Sequence, residues 1–204
     1  MSLFDTADAP DDRPSSDPAE AELVRRARRG DGVAWETLVG RYQQPVFRLA
    51  YLILGDAAEA EDIAQEAFVR AYLALGRFDE ARPLRPWLLS IAANLARNRR
   101  RGLGRAWAAM QRALLSEPQR YHPPPDRTPA SDARRLRQAI ERLRPDARDV
   151  VYLRYFLGLS EAETAATLNI PSGTAKSRHS RALAQLRAVI DADFPDLREA
   201  LGSD

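Results

Sequence analysis

Residues 160–190, SEAETAATLNIPSGTAKSRHSRALAQLRAVI, decide the fold. Ser160-Glu161-Ala162-Glu163 puts a hydroxyl three residues ahead of a carboxylate, a capping-box pattern that opens a short helix. Asn169-Ile170-Pro171 reads as a turn, and Ser172 is the expected cap of a longer helix running to about Ile190. A short capped helix, a three-residue turn and a longer basic helix predict a helix-turn-helix. At about 100° per residue, Ala175, Ala182, Leu186 and Val189 fall on one side of the last helix. Ser177, Ser180, Arg181 and Ala184 fall on the other, flanked by Lys176, Arg178 and Arg187, with no acid among residues 172–190. A DNA major groove suits this face: cations meet phosphates, Arg and Ser reach base edges, and small residues permit close approach. A solvated helix closing a bundle has the same period, but the capped helix and turn before it favour DNA. His179 tilts toward the apolar side and reads as a packed edge residue.

Upstream of this motif the second unit continues back to about residue 133. Leu136, Ile140 and Leu143 line one helix, and Pro145 starts another with Val150, Leu153 and Leu157 inward, stopped by Gly158. Residues 102–132 open on Gly102 and Gly104 and close on Pro118, Pro123, Pro124, Pro125 and Pro129. They predict a long linker, mostly stiffened by proline, with a helical turn near residues 107–115. Before it, four helices are expected over residues 18–101. Asp17-Pro18 caps the first, Asp31 the second and Asp56 the third, and Pro86-Trp87-Leu88-Leu89 opens the fourth. Ala34, Leu38, Tyr42, Val46, Leu49 and Ile53 form a buried stripe, with a kink or break expected at Pro45. No period-two alternation is long enough for a strand. The expected architecture is therefore all-α: an acidic disordered tail (1–17), a helical unit (18–101), a flexible linker (102–132), a helix-turn-helix unit (133–190) and a C-terminal tail (191–204).

Composition narrows the function classes. The chain has 204 residues, is 45% hydrophobic and has no cysteine, so disulfides and thiolate metal sites are excluded. Its two histidines, His122 and His179, leave little material for a His-rich metal site or a Ser-His-Asp triad. We therefore expect no catalytic residues, no bound metal and no cofactor. No apolar run is long enough to span a membrane, and the acidic start is unlike a secretory signal, so we expect a cytoplasmic protein without membrane insertion. The net charge of +2 hides strong segregation: residues 1–22 carry seven acids and one base, while residues 97–120 carry seven arginines and one acid. Such blocks point to separate surfaces, the basic ones facing a polyanion.

Two further clusters stand out in the first unit. Glu59, Asp62 and Glu66, with Gln65 nearby, share one side of the third helix. This is either a solvated face, favoured near a helix N-terminus by the macrodipole, or a protein-binding surface. Trp87, Asn94, Asn98 and the arginines from Arg97 onward share the fourth helix. Trp87 is either core or a stacking platform for single-stranded nucleic acid. Two asparagines four residues apart have poor helix propensity and mark a bent or terminating helix whose amides read bases.

With these residues in view, the sequence resembles the extracytoplasmic-function class of bacterial RNA polymerase sigma factors, of the sigma-70 family. The resemblance runs through Gly55-Asp56-Ala57-Ala58-Glu59-Ala60-Glu61-Asp62-Ile63-Ala64-Gln65-Glu66-Ala67-Phe68, Phe78, and Pro86-Trp87-Leu88-Leu89-Ser90-Ile91-Ala92-Ala93-Asn94. In the second unit it runs through Leu143-Arg144-Pro145, Gly158-Leu159-Ser160-Glu161-Ala162-Glu163-Thr164-Ala165, and Pro171-Ser172-Gly173-Thr174-Ala175-Lys176-Ser177-Arg178. It implies that residues 18–101 are sigma region 2, with Asp62, Gln65 and Glu66 docking on a coiled coil of the largest subunit of core RNA polymerase. It implies that Asn94, Arg97 and Asn98 meet the −10 element, with Asn94 at the start of a loop that captures a flipped base. It implies that residues 133–190 are sigma region 4, with Lys176, Ser177, Arg178, Ser180 and Arg181 reading the −35 element of promoter DNA. An anti-sigma factor is a further implied partner. Lys176 stands where the family often has Arg, Ser180 where a bulkier residue is common, and Leu84 where an aromatic is common. A DNA-binding regulator that never binds polymerase is the rival reading; it leaves the acidic helix and the long linker without a role.

Overall fold

A computed structural model of the chain describes residues 17–114 and 129–197, with residues 104–114 and 129–131 described by backbone alone. The expected acidic tail up to residue 16, the proline-rich middle of the linker and the end of the C-terminal tail lie outside the described residues. The regular elements among those described are all helical, joined by short turns, with no strand among them.

The first unit holds α1 (Pro18–Arg28), α2 (Gly32–Leu54), α3 (Ala57–Ala74) and α4 (Leu84–Leu114). The expected caps form as side-chain hydrogen bonds. Asp17 accepts from Ala19 N–H at 3.0 Å, Asp31 from Val33 and Ala34 N–H at 3.0 and 3.1 Å, and Asp56 from Glu59 N–H at 2.9 Å. Gly55 closes α2 at φ +80°, a left-handed conformation that glycine adopts without steric cost. Pro45 lies inside α2 without breaking it. The buried side chains Tyr42, Val46 and Leu49 flank the proline and hold the helix on both sides of the missing hydrogen bond.

One polar group ties this unit together from the inside. Glu20, an acid in the first turn of α1, is buried; its carboxylate accepts from the Tyr42 hydroxyl and, at 3.1 Å, from the backbone N–H of Leu84. Burial and this carboxylate both push the Tyr42 hydroxyl well above its usual pKa. Glu20 thus joins α1, α2 and the start of α4, where Leu84 itself is fully buried.

The second unit holds α5 (Pro129–Glu141), α6 (Pro145–Val151), a π-helical turn (Tyr152–Phe156), α7 (Glu161–Leu168) and α8 (Ser172–Asp193). The single helix expected from Pro145 to Leu157 therefore changes type at Tyr152; Leu157 N–H donates to the Tyr152 carbonyl at 3.1 Å, and Leu159 N–H to Leu153 at 3.0 Å. The two units share one continuous apolar core. Both expected linker boundaries shift in the backbone: α4 runs on to Leu114, and α5 already starts at Pro129.

Replacing Glu20 with Ala leaves two buried donors without an acceptor, each costing about 1–3 kcal/mol. We expect Glu20→Ala to lose about 2–4 kcal/mol in urea unfolding at an unchanged slope, and a loss below about 0.5 kcal/mol would refute the internal tie.

Candidate nucleic-acid and polymerase interfaces

The helix-turn-helix is built by local hydrogen bonds. Ser160 Oγ accepts from Glu163 N–H at 3.1 Å, and Glu163 accepts from Ser160 N–H at 2.8 Å, so the capping box is complete. α7 stops at Asn169, whose φ of +54° is the one positive value among the described non-glycine residues. Ser172 is not the cap expected of α8. Pro171 takes the cap position, no side chain caps the helix, and Ser172 is its first residue. Proline's fixed φ and lack of N–H suit that boundary.

On α8 the buried side is Ala175, Ala182, Leu186 and Ile190, while Lys176, Ser177, Ser180 and Arg181 are exposed and Arg178 is half-buried. Arg181 is not free in solution. Its Nε donates to the Ser177 carbonyl at 3.0 Å and one Nη to Ser177 Oγ at 3.2 Å, while Ser177 Oγ donates to Thr174 O. Two of the expected contact residues are thus prearranged as one polar ridge. His179 packs at the edge, its Nε2 3.0 Å from the Tyr155 hydroxyl, and burial lowers its pKa.

On α3, Asp62, Gln65 and Glu66 are all exposed on one side. The same stripe continues into Val69, Tyr72 and Leu73, which are 59%, 47% and 79% exposed. The sequence reading missed this apolar half; three large exposed apolar residues at helical spacing were its signal. Beside the stripe, α2 and α3 frame a groove of about 420 Å³ lined by Val39, Phe47, Gln65 and Phe68 among others. Glu66 pairs with Arg70 at 2.6 Å, an exposed i,i+4 pair.

The basic run of α4 does not form one patch. Arg99 crosses to α3, where it pairs with Glu59 and approaches Asp62 at 3.9 Å. Arg100 is half-buried, and its pKa is pulled down by burial and by Arg148. Arg101 bonds Asn98. Arg97 donates through Nε to Asp149 of α6 at 2.8 Å and through Nη1 to Asn94 at 3.0 Å. The four arginines among residues 97–101 point around the helix in different directions, as a period of 3.6 requires. Asn94 and Asn98 neither end nor border a loop, as had been expected of them; both are exposed in mid-helix, each bonded to an arginine three residues on. Trp87 takes the core alternative, half-buried with its ring 4.7 Å from Phe78.

Asp149 was missed altogether. It is buried, and burial pushes its carboxyl pKa up while Arg97, Arg100 and Arg148 pull it down, with burial the larger effect. Its signal was an acid on the inward stripe shared with Val150 and Leu153.

Two family descriptions match the two units. Sigma-70 region 2 matches residues 38–106, and sigma-70 region 4 matches residues 133–186. The chain belongs to the sigma-70 family. Curated relatives put it in the extracytoplasmic-function class. It is 35% identical to the RNA polymerase sigma-H factor of Pseudomonas aeruginosa over 193 residues, covering 89% of this chain and 97% of that one. It is 33% identical to the ECF RNA polymerase sigma factor SigW of Bacillus subtilis, covering 80% and 92%. The solved structure of CnrH in complex with the cytosolic domain of CnrY is 27% identical, covers 86% of this chain and 99% of that one, and superposes with a TM-score of 0.65. This sigma factor therefore has the two-unit all-α architecture expected from its sequence.

The turn of its helix-turn-helix is open to a direct check. Asn169→Gly should leave thermal stability nearly unchanged, whereas Asn169→Val should cost about 1–2 kcal/mol, since a β-branched residue resists the left-handed region. Equal stability of both variants would contradict the geometry of the turn.

Proposed function

We infer that this sigma factor binds core RNA polymerase and directs promoter-specific initiation, with each unit taking one promoter element. The observation that carries the reading is the pairing, in one chain, of an exposed docking stripe on α3 with an exposed face on α8 that holds no acid before Asp191. Asp62, Gln65 and Glu66 form the polar half of the docking surface for the coiled coil of polymerase's largest subunit. Val69, Tyr72 and Leu73 add apolar area that a helical partner would cover. Ser177 and Arg181 read base edges of the −35 element, while Lys176, Arg178 and Ser180 hold its backbone and set the register. Asn94, Arg97 and Asn98 serve the −10 element from mid-helix, as hydrogen-bond donors and acceptors along a single strand, without the base-capturing loop expected at Asn94.

The chain performs no chemistry of its own in this reading; the polymerase supplies it. No helix among the described residues is long and apolar enough to cross a membrane, and the work lies where the chromosome is, in the cytoplasm. CnrH was solved with a partner's cytosolic domain, and we extend this to an anti-sigma factor for the present chain.

Two measurements test these roles. Asp62→Arg combined with Glu66→Arg should abolish co-elution with core polymerase on a sizing column while circular dichroism stays native. Undiminished co-elution would remove α3 as the docking helix, and failure of the wild-type chain to co-elute would favour a free-standing DNA-binding regulator. Arg181→Ala should cost about 1–3 kcal/mol at one −35 base pair. A loss spread evenly over all sequences would make Arg181 a phosphate contact.

A further inference from the structure

The two units meet along a seam whose only buried carboxylate, among the described residues, is Asp149. Its Oδ2 takes the Nε–H of Arg97 at 2.8 Å, and Arg97 in turn holds Asn94 at 3.0 Å. Two of the three residues assigned to the −10 element are therefore tied, directly or through one bond, to the opposite unit. A cleft of about 580 Å³ opens beside Asn94. Its walls are Arg82, Trp87 and Asn94 from the first unit and Thr167 and Asn169 from the end of α7. Elsewhere the seam has Arg85 donating to the Leu157 carbonyl at 2.5 Å and the Arg137 guanidinium 5.2 Å from the centre of the Tyr51 ring.

A carboxylate oxygen offers a guanidinium N–H the same kind of negatively charged acceptor as a phosphate oxygen, and here one oxygen of Asp149 takes that part. We propose that Asp149 is an internal stand-in for promoter phosphate: it occupies Arg97 and latches the two units together, so the closed form and −10 contact exclude one another. The inference rests on the assignment of Arg97 and Asn94 to the −10 element. The latch is built to release. Asp149 Oδ1 and Arg100 Nη1 are both buried without a hydrogen-bond partner. The desolvation of a buried pair offsets much of its attraction. Arg97 keeps 23% of its side chain exposed, so a competing anion reaches it without prior unfolding.

The test uses the absence of cysteine in the chain. Val33→Cys and Arg134→Cys, both at exposed positions, take spin labels, one on each unit. Asp149→Asn in this background should lengthen the label distance and raise affinity for a single-stranded −10 oligonucleotide about tenfold in the absence of polymerase, as expected when closed molecules become competent. A folded Asp149→Asn variant with the wild-type distance overturns the latch, and one that opens without gaining affinity overturns the exclusion. Arg97→Gln is the second variant, safer for folding because Arg97 is partly exposed. It should lengthen the distance too, and an unchanged distance there overturns the proposal even if Asp149→Asn fails to fold. The distance needs no DNA, so a wrong −10 assignment would show as opening of both variants with no oligonucleotide bound by any form.

Discussion

The rest of the structure depends on the apolar stripe of α4. Leu84, Leu88, Leu89, Ala92, Ala93 and Ala96 are almost completely buried, and they run along the one helix that packs against α2 and α3 on one side and α7 on the other. The small residues come in its second half, where alanines let helices approach more closely than leucines do. Burying this stripe turns Asn94, Arg97 and Asn98 to fixed positions on the opposite rim. It also aims the four arginines from 97 to 101 at four different neighbours. The chemistry of the rim follows from the core beneath it, because a helix that buries one face has no freedom left in where the others point.

Electrostatics then separates the two ends of the molecule. The exposed face of α8 carries Lys176 and Arg181 without an acid among residues 172–190, so the first acid of the same helix, Asp191, comes more than two turns beyond Arg181. The cations of α4 are in the opposite condition. Arg97 and Arg99 are engaged by acids of α6 and α3, and Arg100 is half desolvated. Of the seven arginines that a sequence count places in one block, the four whose side chains are described are engaged by internal groups or half desolvated. In the proposed reading, the −35 face on α8 is open to an anion, whereas the −10 residues on α4 are held by internal acids.

What was legible in the sequence was local. Asp17, Asp31, Asp56 and the Ser160–Glu163 box announce helix starts because capping is decided within three residues. The inward stripes of α2 and α8 were legible because 3.6-residue periodicity is a property of the segment alone. What failed involved longer range. Ser172 lost the cap to Pro171, whose backbone was already suited to the boundary. The asparagines of α4 stayed helical because Leu95 and Ala96, buried between them, outweigh a poor propensity worth only tenths of a kcal/mol. Glu20 and Asp149 are acids whose partners lie 22 or more positions away, so no window of sequence shows them paired. Family resemblance supplied roles for the α3 and α8 residues, but it carried no information about which internal groups occupy them.

The prearranged state of Arg181 bears on how specificity arises here. An arginine free in solution loses rotamer freedom when it settles on a base edge. Arg181 is already held over Ser177 by Nε and one Nη, so less remains to be lost. Lys176, one residue before Ser177, brings a point charge without a fork and suits a phosphate better than a guanine edge. In the proposed reading a division of labour follows within a single turn: the lysine would fix where the helix sits on the backbone, and the Ser177–Arg181 ridge, stiffened in advance, would meet the bases that this register presents. Specificity in such an arrangement would come from one rigid pair placed by one flexible charge, with the small Ser180 beside them letting the helix come close enough for that pair to act.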